Sequence, residues 1–330
     1  MACSVRTTEV SSQSGSCRTA GSTSNSTSPT TSISTSTSRS RDFRQADADA
    51  VYKLAQEDLP LGIKVKDALR IIDQAIEDYG LQHVALSFNG GKDCTVLVHL
   101  LAAAAFRSQR PTDHNSNSNS HSHSTSIPST TPTPTSASPP HLECVYVRCA
   151  SPFPQVETFV ETCTQRYHLN LRAVDGGMKE ALQNYLDQKK QEVPIQAVLV
   201  GTRRHDPHGE HLTPFARTDG GWPDFMRVHP ILDWTYKEIW DFLRHPELTL
   251  GGSKEAGLIE WCELYDYGYT SLGSTYNTFP NPMLKAIGDA SVKGGWRPAW
   301  ELKDETQERA GRDAKLMKQV IEVAEQIVTL

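Results

Sequence analysis

Apolar residues at 68, 69, 71, 72, 75, 76 and 79 recur at i, i+3, i+4 spacing, which predicts an amphipathic helix closed by Gly80. Residues 83–88 (HVALSF) are short and apolar enough for a buried strand, and the loop 89–93 leads into a second helix over 94–106. The alternation continues with strand 142–148, helix 155–168, strand 170–174, helix 178–190 and strand 197–201. Such a run of strands and helices predicts an α/β fold, a doubly wound and mainly parallel sheet. Ligands of these sheets collect outside the carboxyl ends of the strands. Beyond residue 201 the periodicity weakens. All six Trp (222, 234, 240, 261, 296 and 300) fall in that part, among Gly and Pro. Trp234, Tyr236 and Trp240 read as core, the last two at helical spacing. A long terminal helix is expected over 304–328, with Leu316, Val320, Val323 and Ile327 on one face.

Two stretches break this pattern. Residues 1–40 contain 23 Ser or Thr, and 107–141 is a run of Ser, Thr, Pro, Asn and His. They account for an apolar content of only 37%, and neither can bury enough surface to offset the entropy of ordering it. The expected organisation is a disordered tail over 1–45 and one catalytic domain over 46–330, interrupted by the 107–141 insert. The insert falls on a helix-to-strand connection, at the sheet edge opposite the ligand edge.

Charge and cysteines narrow the function. The net charge of −6 argues against a general nucleic-acid binder, which would carry a basic face. The longest apolar run, 96–106, is half of the roughly 20 residues that a membrane span requires. Seven scattered Cys without a CxxC pair suggest reduced thiols in a cytosol-like compartment. The expectation is a cytoplasmic monomer. The Ser- and Arg-rich, acid-poor tail leaves mitochondrial targeting as the alternative.

The chemistry concentrates at Ser87-Phe88-Asn89-Gly90-Gly91-Lys92-Asp93-Cys94, where a strand hands over to a helix. A helix start offers unpaired N–H groups and partial positive charge, both suited to phosphate. Gly90 and Gly91 let the backbone turn sharply and approach phosphate oxygens. The loop is not a Walker A motif: Leu86 stands where that motif has its first Gly, and Asp93 where it has Ser or Thr.

This string resembles the pyrophosphate-binding loop of the ATP pyrophosphatase superfamily, in the adenosine-phosphosulfate reductase-like branch. Later segments choose within it. Residues 201–207 (GTRRHDP), 217–230 (RTDGGWPDFMRVHP), 269–273 (YTSLG), 297–300 (RPAW) and 308–312 (ERAGR) together resemble fungal-type FAD synthases, over about 250 residues. Sulfonucleotide reductases require a nucleophilic Cys near the C-terminus, and this sequence has none after Cys262. An ATP sulfurylase-like enzyme and an inactive flavin or nucleotide sensor are the other readings.

The resemblance implies FMN adenylyltransfer: the FMN phosphate attacks the α-phosphorus of ATP in line, pyrophosphate leaves, and Mg²⁺ supplies counter-charge. Ser87, Asn89, Gly90, Gly91 and Lys92 are assigned to the ATP phosphates. Asp93 orders the loop, caps the helix or reaches Mg²⁺ through water. Asp206 is the first choice for the metal or an ATP contact, and Arg203 and Arg204 for phosphate. On the flavin side the resemblance implies Asp219, Trp222 and Arg227, with Trp222 flanking the ring system. Arg309 and Arg312, three apart at the start of the last helix, are expected to reach the phosphates from one face. His205, His208 and His211 alternate with Pro207 and Gly209, so they read as a loop rather than a metal site.

Overall fold

The computed structural model describes residues 42–109, 139–248, 259–286 and 292–312. They fall in one compact unit. Six strands, β1 (Val84–Ser87), β2 (Leu142–Arg148), β3 (Leu169–Asp175), β4 (Ala197–Leu199), β5 (Phe215–Arg217) and β6 (Met226–Val228), form one sheet in the order β3-β2-β1-β4-β6-β5. Every neighbouring pair is parallel except β5 with β6. Among the described residues the α-helices are α1 (Gln45–Leu54), α2 (Pro60–Tyr79), α3 (Lys92–Ser108), α4 (Pro154–Arg166), α5 (Met178–Lys189) and α6 (Tyr236–Leu243).

Strand side chains alternate between two cores, as period two requires. Val84 and Leu86 of β1, Cys144 and Tyr146 of β2, and Ala197 and Leu199 of β4 enter the larger core with α1 to α4 and α6. Ala85, Val145 and Val198 face the other way, against Leu182, Tyr185 and Leu186 of α5. Helix α3 is apolar almost all round because it is buried beneath the other helices of its layer. Among the described residues no helix is long and apolar enough to cross a membrane.

From β1 the chain steps outward to β2 and β3, then returns to add β4 on the other side of β1. The carboxyl ends of β1 and β4 are therefore adjacent, at the point where strand order reverses. The expected phosphate loop and the 201–207 segment leave the sheet at that point.

Several sequence expectations move. Phe43 is 1% exposed and its N–H donates to Arg166 O at 2.8 Å, so the folded part begins before residue 46. Helix α1 lacked a distinct sequence signal. The insert is narrower than 107–141, since Arg107 still belongs to α3 and lies 4.4 Å over the Tyr52 ring. The β5–β6 hairpin had no readable pattern, because three-residue strands are too short to show a period. The described start of the expected terminal helix consists of 3-10 turns at Glu305–Gln307 and Ala310–Arg312. The rest of that helix, most of the tail and the body of the insert lie outside the described residues.

Two histidines are buried within this frame. His99 contacts the rings of Phe43, Tyr167 and Phe242, and burial together with Arg166 holds its pKa well below the ordinary value. His229 is 1% exposed; burial first, then Arg227, lowers it to about 4. Both stay neutral in the folded chain but gain a proton on unfolding below about pH 6.5. The stability they provide is complete above that pH and is lost as pH falls towards 4. For His229 alone this amounts to about 3 kcal/mol. Urea midpoints are expected to fall between pH 7 and pH 5, with a smaller drop in His229→Gln; equal drops in both proteins would refute this.

Candidate active site

Gly90 turns the chain from β1 towards α3 at φ +72, a conformation that side chains resist, and a Cβ there would lie 3.2 Å from Val156. The N–H of Gly91 donates to the exposed Asn89 Oδ1 at 2.9 Å. The next orphan amide of α3, that of Lys92, donates to the buried Tyr265 hydroxyl at 2.8 Å. Ser87 ends β1 opposite Val145. After β4, a Cβ on Gly201 would meet Cys94 Sγ at 3.2 Å and Asp93 Cβ at 3.3 Å, so glycine lets this loop lie closely on the start of α3.

Behind the loop sits a buried charge cluster. Lys92 Nζ, 2% exposed, lies 2.9 Å from Asp93 Oδ2 and 2.5 Å from Glu308 Oε1. The Tyr236 ring faces the same ammonium at 5.2 Å. Arg203 Nε lies 3.0 Å from Asp93 Oδ1, and its Nη2 lies 3.3 Å from Asp206 Oδ1 and 2.5 Å from Glu308 Oε2. Burial opposes the charge on Asp93, yet Lys92 and Arg203 hold its carboxyl below the usual range. Burial likewise works against Lys92, but Asp93 and Glu308 raise its pKa. Asp206 is less well compensated: burial raises it despite Arg203.

The Lys92 ammonium, expected at the ATP phosphates, is enclosed here by these protein groups. Arg203 is enclosed in the same way. Arg204 separates from it and joins Asp233 Oδ1 at 2.5 Å and the carbonyls of Glu210 and Leu212. Glu308 had drawn no separate assignment, and no local pattern in the sequence could have placed it beside Lys92.

The expected flavin residues meet at the β5–β6 hairpin. Trp222 N–H donates to Asp219 O at 3.0 Å, and Arg227 Nη1 lies 3.4 Å from Asp219 Oδ2. Arg227 also donates to the carbonyls of Ala216 and Arg217. Trp222 is 43% exposed, whereas Trp234, Tyr236 and Trp240 are core, as their pattern implied. A cleft of about 870 Å³ runs between Asp206 and Asp219, with His205, His208 and His211 in its wall. Among the described residues no three His, Cys, Asp or Glu side chains are grouped to hold a metal. Arg312 donates to Leu272 O at 3.0 Å and Asn277 Oδ1 at 3.1 Å, while Arg309 is exposed beside it. Arg309 lies in the turn before the 3-10 segment Ala310–Arg312 that carries Arg312, so the two do not share one face of an α-helix.

The phosphoadenosine phosphosulfate reductase domain profile matches residues 83–191 and 178–280. The probable FAD synthase of Schizosaccharomyces pombe is 38% identical over 246 residues, which cover 74% of this chain and 77% of that protein. The chain belongs to the FAD synthase family. The flavin adenine dinucleotide synthase of Saccharomyces cerevisiae is 30% identical, over 70% of this chain and 67% of that one. The crystal structure of Candida glabrata FMN adenylyltransferase shares the fold, with TM-score 0.61 and 24% identity over 83% of this chain and 99% of that chain.

As a member of the FAD synthase family the chain is an enzyme, a nucleotidyltransferase. Thiol chemistry of the reductase type finds little support in its buried cysteines. Burial pushes the Cys94 thiol up to about 12 and the Cys262 thiol up to about 11.

Removing one partner from a buried ion-pair cluster leaves uncompensated charge. Asp93→Asn should therefore lose turnover and also lower the unfolding free energy by about 3 kcal/mol, read from urea denaturation. A loss below about 1 kcal/mol would mean that Asp93 behaves as a solvated surface partner.

Proposed function

We propose that the chain catalyses FMN + ATP → FAD + pyrophosphate at the carboxyl edge of β1 and β4. The observation that carries this reading is a cleft lined by both Asp206, which is joined through Arg203 to Asp93 of the phosphate loop, and Asp219, which meets Trp222 and Arg227. A reaction between two nucleotide phosphates needs both ends in one enclosure. The FMN phosphate is already an anion, so no general base is required. Holding two anions in line and stabilising the leaving group is the task.

In this reading the triphosphate tail takes the N–H groups around Gly90 and Gly91. The exposed Asn89 amide, which holds the Gly91 N–H in the nucleotide-free chain, gives way to a phosphate oxygen. Lys92 and Arg203, paired with carboxylates, brace the loop from behind. Arg309, exposed next to Glu308, is the arginine free to approach the phosphates, and Arg312 braces its segment. Asp93 and Asp206 are hard oxygen donors, which fits a Mg²⁺ ion that takes most of its ligands from phosphates and water. When bound, that ion supplies positive charge against the departing pyrophosphate. At the flavin end Trp222 offers a partly exposed ring face, Asp219 a carboxylate for the polar edge, and Arg227 orients Asp219.

Incubation with FMN, ATP and Mg²⁺, resolved by chromatography, should yield FAD and pyrophosphate; tight binding of both ligands without FAD would favour a sensor instead. Trp222→Ala should raise the KM for FMN about 3- to 10-fold, the value of one aromatic contact, with the KM for ATP unchanged. Equal rises in both would take Trp222 out of the flavin site.

A further inference from the structure

Glu308 reaches the phosphate helix from far along the chain. Its two carboxylate oxygens divide between Lys92 and Arg203, each at 2.5 Å, so one side chain bridges the loop after β1 and the loop after β4. The same pair also meets Asp93, and Arg203 meets Asp206. Glu308 is itself only 14% exposed.

The backbone that carries it is anchored on both sides. Thr270 Oγ1 donates to Glu308 O at 2.6 Å, and Asn281 Nδ2 donates to Gln307 O at 2.8 Å. Phe279 N–H donates to Gly311 O at 2.9 Å. The anchors are fixed in turn: Thr270 and Asn281 are 1% and 0% exposed, and Asn281 Nδ2 also donates to Thr270 Oγ1 at 2.9 Å. A carboxylate held from so many points is poorly suited to swing aside for an incoming phosphate. It is well suited to fix the two cations it touches.

We propose that Glu308 is a positioning residue for adenylyl transfer: it locks Lys92 and Arg203 into an internal pair that sets Asp93 and the first turn of α3 against the substrate phosphates. Neither cation then needs to touch the nucleotide. The inference rests on the reading that FMN adenylylation takes place at this edge. Without the charge of Glu308, Lys92 and Arg203 share only Asp93 and Asp206, and Asp93 is drawn out of its position. Displacements of about 1 Å in a positioned group can cost about 100-fold in rate.

The test is steady-state kinetics with FMN, ATP and Mg²⁺ on the full chain, comparing wild type with Glu308→Gln, Lys92→Met and the double variant, beside thermal unfolding. Glu308→Gln is expected to lower kcat about 10- to 100-fold while the KM for FMN stays within about twofold. The double variant should be no more than about threefold slower than the slower single variant, because both act through one pair. Thr270→Val removes an anchor of Glu308 and no charge; a smaller fall in kcat is expected there, and it serves if Glu308→Gln does not fold. Unchanged kcat in both Glu308→Gln and Thr270→Val would overturn the proposal, as would fully additive losses in the double variant. So would an ATP KM about tenfold lower in Glu308→Gln with kcat retained, which would mark a displaceable anion. Wild type that forms no FAD overturns the reaction assignment and the inference with it; active wild type beside equally active variants overturns the inference alone.

Discussion

Two cations almost without solvent, Lys92 and Arg203, are compensated by Asp93, Asp206 and Glu308. Charges removed from water in this way are costly unless every partner is in place. The residues come from the start of α3, from the loop after β4, and from a segment more than a hundred residues further on. None of the three can bury its charges alone. Forming the cluster therefore forces the phosphate loop, the return crossing of the sheet and the last described turns of the chain into one arrangement.

The sheet makes that arrangement reachable. β1 and β4 are parallel neighbours, so their carboxyl ends deliver the two loops side by side. Gly201 then removes the last steric obstacle between them. Tyr265 contributes from the later part of the chain by taking the Lys92 N–H, and the Tyr236 ring closes the space over the ammonium. Aromatic packing carries this supporting layer: Trp240 meets Tyr265, Trp261 and Trp300 edge-on at 5.2, 5.7 and 5.5 Å. Three of the six tryptophans, Trp240, Trp261 and Trp300, thus hold up the site from behind, and Trp222 is the exposed one.

How much of this could be read from the sequence depends on the range of the interaction. The loop from Ser87 to Asp93 was legible because a short apolar strand, a glycine doublet and a helix start are all local. The parallel sheet was legible because its strands alternate with periodic helices. The grouping of Asp219, Trp222 and Arg227 came from a family resemblance rather than from any pattern in those residues. The inward turn of Lys92 was not legible, since its cause lies in Glu308, Tyr236 and Tyr265, each remote in sequence. Arg309 and Arg312 were misread as helical because they precede an apolar period. In fact Gly311 O accepts from Phe279 N–H and Gln307 O from Asn281, bonds that tie this segment to 270–281 as 3-10 turns.

The charge count has a consequence for the chemistry. Two cations against three carboxylates leave this part of the site with a net negative charge, although both substrates of an FMN adenylyltransferase are anionic. The cluster therefore cannot attract phosphate by its total charge. Its contribution is geometric: it fixes the start of α3 against the loop after β4 and the segment around Glu308. On the proposed reading, attraction falls to the N–H groups at the helix start, to Mg²⁺ and to Arg309. What the buried ion pairs supply is one fixed arrangement of these three segments, a task for which a net positive pocket would be no better.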